Sequence, residues 1–370
     1  MYSLLSALWL REPDAETLEQ ARRIPALAPH CVEPGDPSAA PSPSLRSGSG
    51  LRLRAGLAMA YADLFLLNVY PYASVFLDPN GEMNGARAQR MRDVYEHYGY
   101  APGALRDAGA PDHIGLMLGL LAHTTHTDSP PPHTAGEGKR IARRAGLPYV
   151  LDWAPVLCLA VEREPGAHSF YRALASETRR VLFAENEPAD PSASLPAPSG
   201  RGLRRASLAS HARRSGHSAE LELELESGLD PSAAPSPSLR SGSGLRLRAG
   251  SAGEEVSLRS IVHWLLCPAR SGVFLSRARL GAWARGLDVP LPFGGRFDVG
   301  VSLFEAARVV DGTARLVDWL MAELEEWDAA YAAWSAVGWG EYAVAWRARI
   351  ERAARMLANM KEALLSSLPP

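Results

Sequence analysis

Apolar positions recur along most of this chain at steps of three and four, the spacing that lines one face of an α-helix. Leu4, Leu5, Leu8 and Trp9 make the first such stripe. Asp14, ahead of Ala15-Glu16-Thr17, reads as the cap of a second short helix carrying Leu18 and Ala21, which Pro25 and Pro29 end. Leu57, Tyr61, Leu64 and Phe65 carry a helix toward Asn68. Tyr70-Pro71-Tyr72 then forces an extended turn, because the residue before proline avoids helical geometry. Asp78-Pro79-Asn80-Gly81 is a turn signal, and Ala86 to Tyr98 is helical with Met91, Val94, Tyr95 and Tyr98 on one side. Two further helices are expected over Lys139–Glu164, with Tyr149, Leu151, Trp153, Val156, Leu157 and Val161, and over Ala167–Glu185, with Phe170, Leu174, Val181 and Leu182. In the last third, Ile261, Trp264, Leu265 and Leu266 precede a helix that Ser276 can cap, carrying Leu280, Trp283 and Ala284. Tyr342, Trp346, Ile350, Ala353, Leu357, Met360 and Leu364 predict one long amphipathic helix, expected to pack on its own domain rather than on a partner.

The centre of this organisation is Gly109-Ala110-Pro111-Asp112-His113-Ile114, where a loop turns into the apolar run led by Ile114, Met117, Leu118 and Leu121. Pro111 suits a helix entry, and Asp112 is expected to accept from the free N–H groups of the turn that follows. His113 then stands at a helix mouth beside a carboxylate, as a solvated first-turn residue or as half of a polar binding pair. The fold class is all-α. Two helical subdomains, 1–122 and 139–186, are joined by a hinge loop at 123–138, followed by a disordered linker at 187–256 and an additional C-terminal helical region at 257–370.

The linker assignment rests on composition. Residues 187–256 turn to Ser, Pro, Gly and Ala, as does a loop expected at 35–50. Arg201, Arg204, Arg205, Arg213 and Arg214 are followed by Glu220, Glu222, Glu224 and Glu226, and no aromatic residues interleave with the arginines to stack on bases. The blocks read as mutually attracting linker charges, with a short edge hairpin at Leu221, Leu223 and Leu225 left open. Asp36 to Gly56 recurs without change from Asp230 to Gly250; identity over 21 residues is unlike the varied letters of solenoid repeats. The first copy leads into the Tyr61 helix and the second lies in the linker, so the same letters face different neighbours.

Over 370 residues, 46% are hydrophobic and 22% charged, an ordinary globular balance that suits two small domains or one large one with appendages. A net charge of −2 gives no general attraction to nucleic acid or an anionic membrane. Cys31, Cys158 and Cys267 stand far apart and form no CxxC pair, which argues against a disulfide framework and suits a reducing compartment. The N-terminal stretch lacks a basic region and a small-residue cleavage site, so it reads as a core helix rather than a secretory signal. No apolar run reaches the roughly 18 residues of a membrane span, and a cytoplasmic protein is expected. His123, His126 and His133 sit in a Pro-rich stretch without Cys or Glu-x-x-His companions; a solvated loop is the expectation there, rather than a metal site.

Three ordered blocks resemble the TorD/DmsD/NarJ family of redox-enzyme maturation chaperones. Tyr61-Ala62-Asp63-Leu64-Phe65 with Tyr70-Pro71-Tyr72-Ala73-Ser74-Val75-Phe76 is similar to its Y-x-x-L-F and P-Y-x-S-V-Y block. Pro111-Asp112-His113 is similar to E-x-P-D-H, and Trp153-Ala154-Pro155 with Phe170-Tyr171-Arg172-Ala173-Leu174-Ala175 to W-x-P and F-Y-x-x-L-A. The resemblance covers about residues 1–185, with 257–320 similar to an extension of longer members. It implies a TorD-like all-α chaperone, with no catalytic residues, cofactor or metal. Its partner would be an apo molybdenum-containing oxidoreductase of the DMSO-reductase type, through its twin-arginine leader, before export. The leader-binding residues it implies are Pro111, Asp112, His113, Tyr70, Pro71, Tyr72, Ser74, Phe76, Tyr61, Phe65 and Trp153.

Such leaders join a dicationic pair to an apolar segment, and so ask for a hydrophobic groove with acceptors at its rim. Asp112 can pair with a guanidinium, Tyr70, Tyr72 and Phe76 can cover apolar groups, and His113 can add a pH-sensitive donor. Pro71 and Pro111 would hold these groups in place. The chain departs from the family where Gly109-Ala110 replaces the usual glutamate, and where Met117 and Gly119 replace residues that are often acidic.

Other function classes are weaker. There is no Gly-rich phosphate loop, no G-x-S-x-G elbow and no H-E-x-x-H, and adjacent Asp112 and His113 point apart on a helix. An alternative is a permanent helical adaptor or assembly subunit of a redox enzyme complex, using the terminal helix with Trp327, Trp334, Trp339 and Trp346. A metal hydrolase would need His113, His123, His126 and His133. Whether two copies form a homodimer by exchanging a domain is open from the sequence.

Overall fold

The stripe at the start of the chain becomes α1 (Tyr2–Leu10), whose Leu5, Leu8 and Trp9 are wholly buried. In the computed structural model, which describes residues 1–32, 48–126, 147–186, 246–249 and 254–366, α1 packs on a later apolar helix. That partner is the fold's α7 (Ile114–His126), and its two glycines explain how close the pair comes. A Cβ on Gly115 would meet the Leu10 side chain at 2.5 Å, while the Ser6 hydroxyl donates to the Gly115 carbonyl at 2.6 Å. A Cβ on Gly119 would run into the Tyr100 hydroxyl. The positions Met117 and Gly119, read from sequence as lost acidic groups, are therefore interior packing positions; Met117 is 1% exposed.

Between these helices lie α2 (Ala15–Ala21), α3 (Gly48–Tyr61), α4 (Ala73–Leu77), α5 (Ala86–His97) and α6 (Leu105–Ala108). Asp14 caps α2 as expected, accepting from the Thr17 N–H at 2.8 Å. The Asp78–Gly81 turn closes with a 3.0 Å bond from the Gly81 N–H to the Asp78 carbonyl, and Gly81 takes a left-handed φ of 63°. The helix toward Asn68 does not stay α-helical. From Ala62 to Asn68 it widens into a π-helix, shown by the Val69 N–H donating five residues back to the Leu64 carbonyl at 2.6 Å. The Asn68 side chain adds a bond to the Asp63 carbonyl at 2.9 Å.

The single helix expected over 139–164 is two. Described residues begin at 147, a helical turn runs to 151, and α8 (Ala154–Arg163) starts after a break at Asp152-Trp153. Pro155 in the first turn of α8 is the reason, since it has no N–H to continue a preceding helix. Following it, α9 (Ser169–Asn186) returns to α1, where the Trp9 indole donates to Thr178 Oγ1 at 2.9 Å. Tyr61 donates in turn to the Trp9 carbonyl at 3.1 Å, so α1, α3 and α9 meet at one residue.

The C-terminal region supplies α10 (Leu258–Leu266), α11 (Pro268–Ser271), α12 (Arg277–Gly286), α13 (Arg296–Val309), α14 (Thr313–Ser335) and α15 (Gly340–Ser366). Ser276 caps α12, accepting from the Arg279 N–H at 3.0 Å. The α15 stripe is covered by its own chain: Trp346, Ile350, Ala353, Leu357 and Met360 are buried. Trp327, Trp334 and Trp339 are buried too, so these aromatic groups offer no adaptor surface. The described residues form one compact unit. Phe76 on α4 stacks on Phe274 with centroids 5.2 Å apart, and Glu323 on α14 takes Arg163 at 3.0 Å and Arg279 at 3.4 Å.

A two-stranded antiparallel hairpin, β1 (Arg246–Ala249) with β2 (Glu254–Ser257), pairs Leu247 with Val256 and leads into α10. It falls in the stretch expected to be linker. Residues 246–249 belong to the second copy of the repeat and are strand, whereas their counterparts Arg52–Ala55 lie within helical α3. Of the loop expected at 123–138, residues 123–126 complete α7 and the remainder lies outside the described residues. The loop at 35–50, apart from the first turn of α3, also lies outside them, as do His133, the charge blocks and the Leu221–Leu225 alternation.

Candidate functional site

Two extended strands of backbone cross where α4 and α7 begin. The pre-proline geometry of Tyr70-Pro71-Tyr72 presents the Pro71 carbonyl to the Ile114 N–H at 2.9 Å, and the Asp112 carbonyl accepts from the Ala73 N–H at 3.0 Å. Tyr72 and His113 pair as an isolated antiparallel bridge. Each segment then caps the other's helix or its own. Asp112 Oδ2 accepts from the Ser74 N–H at 2.7 Å, which satisfies the first turn of α4, not of α7. The cap of α7 is His113, whose Nδ1 accepts from the Gly115 N–H at 3.0 Å. Tyr95 completes the clip by donating to the Pro111 carbonyl at 2.6 Å.

This changes the roles read from sequence. Asp112 is wholly buried, so its carboxylate is a structural acceptor and is not presented to a guanidinium at the surface. His113 is 3% exposed, and burial pushes its pKa down to about 3. It is neutral near pH 7 and does not act as a pH-sensitive donor there. Because Nδ1 accepts, the ring proton is on Nε2. Ser74 is also wholly buried, and Phe76 lies between Trp153 and Phe274, covered by the C-terminal helices. Tyr70 is half-buried and donates to the Leu67 carbonyl at 3.3 Å.

The remaining expected residues converge. Tyr61, Phe65, Pro71, Tyr72 and His113 line a single cavity of about 370 Å³, closed by Ala108 and by Leu10 at the end of α1. Tyr72 stands over it, its ring edge-on to His113 at 5.1 Å and its hydroxyl donating to the Ala108 carbonyl at 2.9 Å. Burial raises the Tyr72 phenol, with Asp112 adding to the shift. Burial also raises Tyr61, and the neighbouring Glu12 carboxylate contributes.

The sequence reading missed the rim. Arg11, Glu12, Leu66 and Asp107 all line the cavity. Arg11 pairs with Asp14 at 3.3 Å, whereas Glu12 and Asp107 are exposed and have no cationic partner among the described residues. Leu66 lies opposite the stripe of Leu57, Tyr61, Leu64 and Phe65 and is 61% exposed, so a reading that looked for buried positions passed over it. A large apolar residue facing water beside two exposed carboxylates is the signature that could have drawn attention to it.

Cys31, Cys158 and Cys267 are free and buried, and burial raises all three thiols. No group of three or more His, Cys, Asp or Glu among the described residues could hold a metal ion, and no described helix is long and apolar enough to cross a membrane.

Residues 37–158 match the family model described as nitrate reductase delta subunit, 122 of the chain's 370 residues. The match takes in the crossing segments and most of the cavity wall, and is consistent with the chaperone superfamily that the motif blocks resemble. No curated protein and no solved structure matches the chain.

Proposed function

We propose that this chain is a maturation chaperone of the TorD/DmsD/NarJ kind, which binds the twin-arginine leader of an apo molybdenum-containing oxidoreductase in the cytoplasm and releases it for export. The observation that carries the reading is convergence: five residues picked from motif blocks spread over more than fifty positions line one cavity with two exposed carboxylates, unpaired among the described residues, in its lining. At about 370 Å³ it is near the small end of ligand sites, so it takes a few side chains of a leader rather than its whole length. The apolar segment would continue along Met59, Leu66 and Leu67, which are 75%, 61% and 50% exposed on the same helical run.

Nothing in this role requires catalysis. Calorimetric titration with the leader of the molybdoenzyme encoded nearest to the chain tests it. Saturable binding that Leu66→Asp weakens, with helicity unchanged, is the expected result. Absence of leader binding together with tight association with the mature enzyme would refute the leader role.

A further inference from the structure

Resting on the leader reading, we infer that Glu12 and Asp107 are the residues that select an arginine pair, taking the part that the sequence assigned to Asp112. Asp112 cannot perform it, since its side chain is wholly buried, does not line the cavity, and holds the Ser74 N–H with Oδ2. Gly109 and Ala110 bring no charge to replace it. Glu12 follows α1 directly and Asp107 lies on α6, so two distant segments bring their carboxylates to the same cavity mouth. Among the described residues that line the cavity the one cation, Arg11, already pairs with Asp14.

A second observation points to a peptide rather than a free cation. His113 is 97% buried and lines the cavity, and its Nε2–H has no acceptor among the described residues. A neutral N–H donor does not repel a guanidinium, and it has no use for one. It can receive a backbone carbonyl, which a peptide supplies next to each arginine. The aromatic walls of Tyr61, Phe65 and Tyr72 suit a planar guanidinium better than a compact, strongly hydrated ammonium. The site thus offers two acceptors for side chains, one donor for main chain, and ring surface for the stems.

The test uses the full chain and synthetic peptides that carry an Arg-Arg, Lys-Lys, Gln-Gln or Glu-Glu pair ahead of the same apolar run. Both carboxylates are solvent-exposed, so each substitution is expected to cost roughly fivefold, and Glu12→Gln with Asp107→Asn roughly tenfold or more, for the Arg-Arg peptide at low salt. The double variant should bind the Arg-Arg and Gln-Gln peptides alike and lose salt dependence. Glu12→Lys with Asp107→Lys should prefer the Glu-Glu peptide, a gain that loss of folding cannot imitate. Wild-type binding of the Arg-Arg peptide that survives the double amide variant unchanged overturns the inference and leaves the leader reading standing. If the wild type binds none of the peptides, the leader reading itself is overturned.

Discussion

Replacing Asp112 separates a structural clip from a binding group. Its Oδ2 is 2.7 Å from the Ser74 N–H, 38 residues away, and both residues are wholly buried. Asp112→Ala removes the cap and leaves that amide without an acceptor where water cannot reach it, which costs about 1–3 kcal/mol. The carboxylate's other oxygen has no partner among the described residues, so removing it also relieves a desolvation cost. A net loss of about 2 kcal/mol is expected for alanine. Asp112→Asn keeps an acceptor of the same shape and sheds the buried charge, so it should lose about 1 kcal/mol or less.

Urea unfolding followed by helical circular dichroism measures both, with an unchanged slope showing that the same surface is exposed in each variant. Alanine and wild type agreeing within about 0.5 kcal/mol would refute the clip. Asparagine as damaging as alanine would show that charge, not the acceptor, is what α4 requires. Leader binding should be compared in the asparagine variant, in which the crossing of the two segments is kept.

Two further outcomes follow from the same neighbourhood. The folded pKa of His113, about 3, lies below the ordinary value of 6.5, so the unfolded chain takes up a proton first as pH falls. The stability that neutral His113 contributes is complete above 6.5 and is lost downward toward 3, amounting to about 2 kcal/mol between pH 7 and pH 5. His113→Gln, which can still accept from the Gly115 N–H, should flatten that part of the pH dependence in urea titrations; an equal slope in both proteins would contradict it. Gly119→Asp, which restores an acidic group common in the resembled family, should destabilise by 2 kcal/mol or more, because its Cβ would meet Tyr100 and its charge would be buried between α1 and α7. A folded variant of wild-type stability would show that the two helices can part there.

Local rules carried most of the helices. Asp14 and Ser276 cap where their side chains and neighbours said they should, and the α15 stripe from Trp346 to Met360 is buried as its spacing required. Each of those signals is complete within a few residues. What the sequence concealed depends on partners brought together by folding. Asp112 looks like a cap for the helix that follows it; only the crossing at Pro71 shows that its oxygen reaches Ser74 first. Leu66 sits on the face opposite the buried stripe, and an exposed apolar residue on a helix becomes meaningful only when folding sets it beside other groups. Glu12 and Asp107 come from segments far apart in the chain that meet at the cavity. Of the candidate site, the walls were legible as motif blocks and the charges at the mouth were not.

The repeated stretch has a consequence for experiment. Arg52–Ala55 and Arg246–Ala249 have the same composition, the same order and the same preceding residues, yet one is helix and the other strand. Differences of rotamer preference or side-chain chemistry between the two cancel, because they are the same peptide in the same molecule and solvent. What remains is the influence of what comes next: Leu57 to Phe65 anchored in a core on one side, and a pairing strand on the other. Isotope labels on these residues give an internally calibrated pair of signals, distinct while the fold holds and converging when it is lost.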